Sequence, residues 1–442
     1  MSYFNPYMEK EISQVELSKL QEEKLQKQIR YVYEHSPFYR DKFDQAGIAP
    51  ERIQSLNDLG KIPFTTKEEL RQSQLKAPPL GEHQAVSFDQ IIRIHSSSGT
   101  TGRPTYVGIT KHDNEVWREI AARVFYTEGV RPTSIVVFAM GLSFFVGGLP
   151  SKDGIEHLGA TFVPIGTGAS DRVISSIENL RAEVIICTPS YAIYLAEYVR
   201  SIGKDPKELG VKLIGTGGEP GGGMSEIRNR IEQEWGCTVV EAMGNADMAP
   251  ILFAECQHQQ GMHFLAPDYV VCELIDPETG RSLDMKDGSE GELVYTAIDR
   301  ECVPLIRFRT RDRIKVFTSP CGCGRSGFRI RCIGRTDDML IVRGVNVFPS
   351  AIKDVISGYI PRTTGEIQVL LANPGPAVDP PLKVQVEYGQ EISAEEIPEL
   401  KNILEQSLRE KLIFKAEVEM VPPASLPRYE MKAKLVKTID SM

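Results

Sequence analysis

Ile94-His-Ser-Ser-Ser-Gly-Thr-Thr-Gly-Arg-Pro-Thr105 is an apolar start that runs into small hydroxyl residues and two glycines. Glycines let backbone N–H groups approach an oxyanion, hydroxyls add donors and Arg103 adds charge, so the segment is suited to wrapping a polyphosphate. The Walker pattern is absent, because no Gly-Lys-Ser/Thr follows at the required spacing. Taken alone, Ser96 to Arg103 would also serve as a plain flexible turn, so its meaning depends on its surroundings.

Those surroundings have a clear rhythm. From residue 93 to about 251, short β-branched runs at 134–138, 161–164, 183–187 and 211–214 alternate with helix-like stretches. That pattern predicts βαβ units and a mainly parallel sheet. Strands broken by Gly and Asp near 269–274, 291–295 and 313–317 predict an antiparallel, β-rich subdomain, with a boundary near 334–338. Upstream, apolar residues at helical spacing between 9 and 43 predict an amphipathic helical start. The last hundred residues predict a small α+β domain, with helices near 350–358 and 394–412 and strands at 367–371 and 383–388. The fold class expected is α/β: a large N-terminal domain of mainly parallel sheets flanked by helices plus the β-rich subdomain, then the small α+β domain.

Composition narrows the function. A chain of 442 residues exceeds what one hydrophobic core usually supports, and 41% hydrophobic with 25% charged residues is ordinary for a globular protein. A net charge of -9 argues against a nucleic-acid-binding face. The N-terminus lacks the basic and apolar runs of an export signal, and no uninterrupted apolar stretch approaches a membrane span. A cytoplasmic location is expected, where eight cysteines stay reduced and either bind metal or pack. Cys187, Cys237, Cys272, Cys302 and Cys332 read as core. Cys321 and Cys323, with Cys256 and either His258 or His263, could make a tetrahedral structural Zn²⁺ site.

Ser96-Ser-Ser-Gly-Thr-Thr-Gly-Arg-Pro104 resembles the phosphate loop of the adenylate-forming (acyl-CoA synthetase) superfamily. Gly217-Gly-Glu-Pro220, Arg307-Phe-Arg-Thr-Arg-Asp312, Gly334-Arg-Thr-Asp-Asp338, Arg343-Gly-Val-Asn-Val-Phe-Pro349 and Leu426-Pro-Arg-Tyr-Glu-Met-Lys-Ala-Lys434 are similar, in order, to its later motifs. Within it, the chain most resembles phenylacetate-CoA ligases. The resemblance implies an AMP-binding adenylation domain over 1–334 and a mobile C-terminal lid domain over 335–442. It implies ATP, Mg²⁺ and coenzyme A as cofactors, an aryl or aryl-acetic acid as substrate, and a homodimer.

Residue by residue, the resemblance implies that Ser96, Ser97, Ser98, Gly99, Thr100, Thr101, Gly102 and Arg103 hold the ATP phosphates. Gly217, Gly218, Glu219 and Pro220 would line the adenine slot, and Asp312 would hold the ribose hydroxyls. Arg335 would reach the nucleotide after rearrangement. Lys432 would bridge the carboxylate and the α-phosphate, although Met431 replaces the usual Gly beside it. Asp337 would be the hinge, and Gly344 would approach the pantetheine tunnel. Met243-Gly-Asn-Ala-Asp247 departs from the family's Tyr-Gly-x-Ser-Glu. There Met243, Gly244 and Asn245 would flank the adenine, and Asp247 would stand for the magnesium-associated Glu. Phe144, Phe145, Gly147 and Tyr191 fall in segments similar to the aryl pocket. Zinc-bearing relatives resemble the spacing from Cys256 to His263, which favours Cys256, His263, Cys321 and Cys323 as ligands, with His258 as the alternative. Two other functions stay open: an adenylating ligase with an amine or carrier-protein acceptor, and a nucleotide- or CoA-binding protein without turnover.

Overall fold

The computed structural model describes residues 3–96, 105–142, 144–336, 340–342, 345–372, 377–428 and 434–439. Ser13 and Glu16 close a capping box that opens α1 (Gln14–His35). The helical start expected over 9–43 is broken at Ser36, because Pro37 has no N–H to continue α1 and instead takes the first position of α2 (Pro37–Gln45). The inward faces of the two helices bury Leu25, Ile29, Val32, Tyr39 and Phe43 against Val271, Ile298 and Ile306. A second capping box, Thr66 with Glu69, opens α3 (Lys67–Lys76).

A small antiparallel pair, β1 (Arg93–Ser96) and β2 (Tyr106–Ile109), precedes α4 (Lys111–Glu128). The expected rhythm follows: β3 (Ile135–Phe138), α5 (Leu149–Leu158), β4 (Thr161–Pro164), α6 (Ser170–Leu180), β5 (Val184–Cys187), α7 (Pro189–Ser201), β6 (Leu213–Thr216), α8 (Ser225–Trp235) and β7 (Thr238–Asn245). These strands pair in parallel in the order β4-β3-β5-β6-β7. Every residue of β5 and β6 is buried, as expected where helices cover both faces of a sheet.

The β-rich region is not a detached sheet. After β7 the chain turns back as β8 (Ala249–Glu255), and β9 (Met262–Phe264), β10 (Val270–Ile275), β11 (Ser282–Leu283), β12 (Glu290–Ala297), β13 (Phe308–Phe317) and β14 (Arg329–Arg335) extend the same ladder. Among the described residues it is one 12-stranded sheet, ordered β11-β10-β12-β13-β14-β9-β8-β7-β6-β5-β3-β4. Within its antiparallel half β13 alternates buried and half-buried positions, with its arginines and lysine on the wetter side.

The tail forms its own core. A three-stranded sheet joins β15 (Leu340–Val342), β16 (Val345–Val347) and β18 (Ala377–Val378), and a four-stranded sheet orders β20 (Ala416–Val421), β19 (Leu382–Tyr388), β17 (Thr363–Leu371) and β21 (Val436–Thr438). With α9 (Pro349–Ser357) and α10 (Ile397–Leu412) they bury Ile352, Val369, Val384, Leu400, Leu404 and Val418 together. Both helices fall where the periodicity predicts them. Among the described residues no helix is long and apolar enough to cross a membrane.

Two histidines are sealed in the large domain. His83 is 2% exposed with Nδ1 2.9 Å from Ser73 Oγ, and His95 is 1% exposed beside Trp117. Burial pushes both down to about 4 from an ordinary 6.5. Between those values the unfolded chain binds protons that the folded chain refuses. The two histidines therefore contribute stability that is fully present above about pH 6.5 and is lost as pH falls toward 4. His83→Gln should flatten that decline in melting curves taken across the range; an unchanged slope would contradict it.

Candidate active site

Residues Ser97, Ser98, Gly99, Thr100, Thr101, Gly102 and Arg103 lie outside the described residues, but both ends of their loop are fixed. Ser96 pairs with Tyr106 across the β1–β2 hairpin, and its N–H donates to Phe144 O at 2.9 Å. Thr105, 1% exposed, donates its hydroxyl to Asp247 Oδ1 at 2.8 Å. The hydroxyl loop is thus anchored to the turn that follows β7, 142 residues away.

That turn is tightly built. Asp247 is 4% exposed, and its second oxygen takes the Lys67 ammonium at 2.9 Å. Its own N–H donates to Asn245 Oδ1 at 3.0 Å. Beneath it the buried Arg300 donates to the carbonyls of Asp247 and Met248 and stacks on Trp117 at 4.9 Å. Gly244 has no room for a side chain, since a Cβ there would stand 1.9 Å from Pro250 O. Lys67, Thr105 and Arg300 were not singled out from the sequence. Lys67 meets Asp247 across 180 residues and carries no local signal beyond its place at the start of α3.

Gly217, Gly218, Glu219 and Pro220 follow the end of β6. A Cβ at Gly217 would lie 3.0 Å from Ala242 O, so this turn and β7 face each other with backbone exposed between them. Gly218 adopts φ +85, which glycine takes without strain. Glu219 Oε1 accepts from Ser190 N–H at 2.8 Å, placing its charge at the N-terminus of α7. Met243 is half-buried opposite Phe253. Behind this wall burial, with Glu255 nearby, pushes the Glu241 carboxyl up to about 7. Across the sheet Asp312, 6% exposed on β13, receives Arg335 Nη1 at 2.6 Å from β14. Asp312, Arg335 and Glu241 all act electrostatically on Cys332, which sets them in one neighbourhood. Asp337, Gly344 and Lys432 lie outside the described residues.

Phe144 is 52% exposed with φ 52, and its ring sits 5.8 Å from that of Tyr106. Phe145 bridges to Ser96, and its ring occupies the space that a Cβ at Gly147 would need, 2.4 Å away. These three residues adjoin the hydroxyl loop. Tyr191 lies apart from these three in the described contacts. It is fully buried on the inward face of α7, stacks on Tyr194 at 5.9 Å and pairs its hydroxyl with Ser170 Oγ at 3.1 Å.

A separate constellation lies at the other end of the antiparallel half. Cys256, His263, Cys321 and Cys323 place one ligand atom each within 4.8 Å of one another. His258 is not among them and rests against Gly322 instead. Cys256 and Cys321 sulfurs are 3.6 Å apart, near the roughly 3.8 Å edge of a tetrahedron built on Zn–S bonds of about 2.3 Å. Cys323 Sγ lies 3.3 Å from His263 Nε2, and contact with Cys256 and His263 holds its thiol well below the usual range. Three sulfurs and an imidazole fit a closed zinc site with no open position for chemistry. The N-terminal segment clips this hairpin: Tyr3 OH donates to Cys323 O at 2.8 Å, and Arg325 Nε pairs with the buried Glu9 at 2.8 Å.

Comparison with known proteins agrees with this geometry. Residues 15–297 match the AMP-binding enzyme family and residues 344–440 its C-terminal domain. A phenylacetate-coenzyme A ligase of Thermus thermophilus is 38% identical over 441 residues, 96% of each chain. A 2-hydroxyisobutyryl-CoA ligase, solved in the postadenylation state with 2-HIB-AMP, superposes with TM-score 0.91 at 30% identity, covering 100% of this chain and 93% of that one. The same ligase in the thioesterification state, with 2-HIB-AMP and CoA, scores 0.74 at 31% identity, over 99% and 92%. One relative is compared twice, and this chain is more similar to its structure in the postadenylation state than to that in the thioesterification state.

Elemental analysis of the purified chain is expected to find a single zinc ion. Cys321→Ser and Cys323→Ser should lose it and melt several degrees lower, in the direction expected when a structural metal is removed. A zinc-free chain whose melting is unmoved by Cys323→Ser would reduce the cluster to packed thiols.

Proposed function

The chain belongs to the AMP-binding enzyme family, and from that premise we propose that it is an ATP-dependent ligase that joins an aryl or aryl-acetic acid to coenzyme A through an acyl-adenylate. The observation that carries this reading is the hydrogen bond from Thr105 to Asp247, which ties the hydroxyl loop to the β7 turn on which the nucleotide would lie. The division into 1–334 and 335–442 is part of the same proposal, as is the homodimer.

In the first step a carboxylate oxygen attacks the α-phosphorus of ATP and the bond to pyrophosphate breaks. Ser96 to Arg103 would wrap the phosphates, while Gly217 to Pro220 and Met243 would sandwich the adenine from two backbones. Asp312 would accept from the ribose hydroxyls, with Arg335 beside it balancing charge. Lys432 would bridge the attacking carboxylate and the α-phosphate, stabilising charge that grows in the transition state. Asp247 stands at the magnesium-associated position, but Thr105 and Lys67 occupy its oxygens, so it would reach Mg²⁺ through one of the waters that ion keeps. When bound, that ion neutralises triphosphate charge. Phe144, Phe145 and Gly147 would flank the aromatic ring of the acid, where flat apolar faces favour a flat apolar substrate.

In the second step the small domain turns about Asp337, withdraws Lys432 and brings Gly344 to the pantetheine arm. The thiol sulfur then attacks the acyl carbon, and AMP leaves as the carbon–oxygen bond to its phosphate breaks. The structural zinc would stand apart from both steps.

Pyrophosphate release across arylacetic, benzoic, fatty and amino acids is expected to be strongest with arylacetic acids and to yield a CoA thioester by mass. An adenylate discharged only by amines would change the acceptor, and ATP binding with no release for any acid would favour a protein without turnover. Lys432→Ala should slow adenylation about 100-fold or more and spare thioester formation from supplied acyl-adenylate. Equal loss of both steps would contradict the two-position mechanism.

A further inference from the structure

The two walls of the adenine slot, the turn from Gly217 to Gly223 and the β7 strand, are joined from behind by one buried ion pair. Arg228 of α8 is 7% exposed, and Glu255 at the end of β8 is 1% exposed. Arg228 Nε donates to Gly222 O on the turn at 2.7 Å, and its Nη2 pairs with Glu255 Oε2. That same carboxylate oxygen accepts the N–H of Glu241 on β7 at 3.2 Å. One guanidinium and one carboxylate therefore grip both walls.

The packing around this pair leaves no slack. A Cβ at Gly222 would stand 1.9 Å from Thr216 Oγ1, and one at Gly223 2.3 Å from Glu241 Oε2. Thr216 in turn donates its hydroxyl to Val240 O at 2.8 Å. The turn thus lies directly on the ends of β6 and β7, and Arg228 holds it there through Gly222. A third carboxyl, Glu128 at the end of α4, is buried in the same neighbourhood, with its Oε2 3.1 Å from where a Cβ on Gly215 would sit. Burial and the nearby Glu255 push it well up, so Glu128 stays protonated and leaves the Arg228 charge to Glu255. Buried ion pairs are often no more stabilising than apolar groups of the same volume. What this one adds is direction, since each end must meet a fixed backbone group.

We propose that Arg228 and Glu255 are positioning residues for the adenine slot: the pair sets the spacing between the turn and β7, and with it the affinity for the nucleotide base. The proposal deepens the ligase reading and rests on it only for the place of the base, between Gly217 to Pro220 and Met243. It assigns nucleotide affinity to two residues behind the slot, one on a helix and one on a strand.

A site whose competent form is populated a tenth of the time loses about 10-fold in apparent affinity. Arg228→Lys keeps the charge but has a single nitrogen for Glu255 and Gly222 O, so it is expected to raise the dissociation constant for ATP about 10-fold in calorimetry. In turnover the KM for ATP should rise by the same factor, while kcat and the KM values for the acid and CoA stay as in the parent. Removing one charge alone strands the other in the core, so the second variant combines Arg228→Met with Glu255→Gln, which leaves no charge and keeps an acceptor for Glu241 N–H. It should fold, and weaken ATP at least as much as Arg228→Lys; if it fails to fold, Arg228→Lys decides alone. Either folded variant binding ATP like the parent, or an Arg228→Lys loss shared equally by the acid and CoA, would overturn the proposal. Calorimetry needs no turnover, so a wild-type chain that binds ATP but releases no pyrophosphate with any acid would sink the ligase reading and leave this test standing. A wild-type chain that binds no ATP would sink both.

Discussion

At Gly244 the β7 backbone runs so close to Pro250 that a side chain would collide with its carbonyl, and this contact governs the large domain. It lets the last parallel strand fold directly back as the first antiparallel one, so the two halves share one hydrogen-bonded ladder. The turn it creates carries Asn245 and Asp247, and three distant groups converge on it: Lys67 from α3, Thr105 from the end of the hydroxyl loop and Arg300 from beyond β12. A buried carboxylate is costly unless its oxygens are occupied, and here both are. The cleft is thereby assembled by charge satisfaction around a backbone that cannot shift.

The small domain obeys a different logic. Its hydrophobic core is complete in itself, and its contacts with the large domain include polar ones such as Arg230 with Thr364. Polar contacts release more readily than a shared apolar core, because water can replace each of them. That suits a domain whose relative is known in two arrangements, matching this chain at TM-scores of 0.91 and 0.74.

Much of the fold could be read from the residues. Short β-branched runs separated by helical stretches gave the parallel half, because period and punctuation are local properties. The helices of the tail were legible for the same reason. Joining of the β-rich region to the parallel sheet was not legible, since the pairing of β7 with β8 depends on a tight turn and not on strand composition. Cys256, Cys321 and Cys323 stood out as a half-site and its partner, and proximity selected His263 over His258. For Tyr191 the sequence was silent on burial, since a tyrosine beside apolar residues looks the same whether its ring is buried or exposed. Lys67 and Arg300 were missed because each acts through a long-range contact, and Glu255 because a lone acidic residue in a strand gives no sign of the arginine buried against it.

The clip between Glu9 and Arg325 spans 316 residues of chain. While a ribosome is still producing the intervening strands, Phe4 and Asn5 have Tyr126, His157 and Glu119 to dock on, but Tyr3 and Glu9 lack their partners on the cysteine hairpin. The clip itself is deferred until that hairpin emerges. Contacts of such separation close slowly, since a long loop must be ordered before any stabilisation returns. The Glu9–Arg325 clip is thus set by synthesis to close late in the large domain, behaving as a fastener and not as a nucleus.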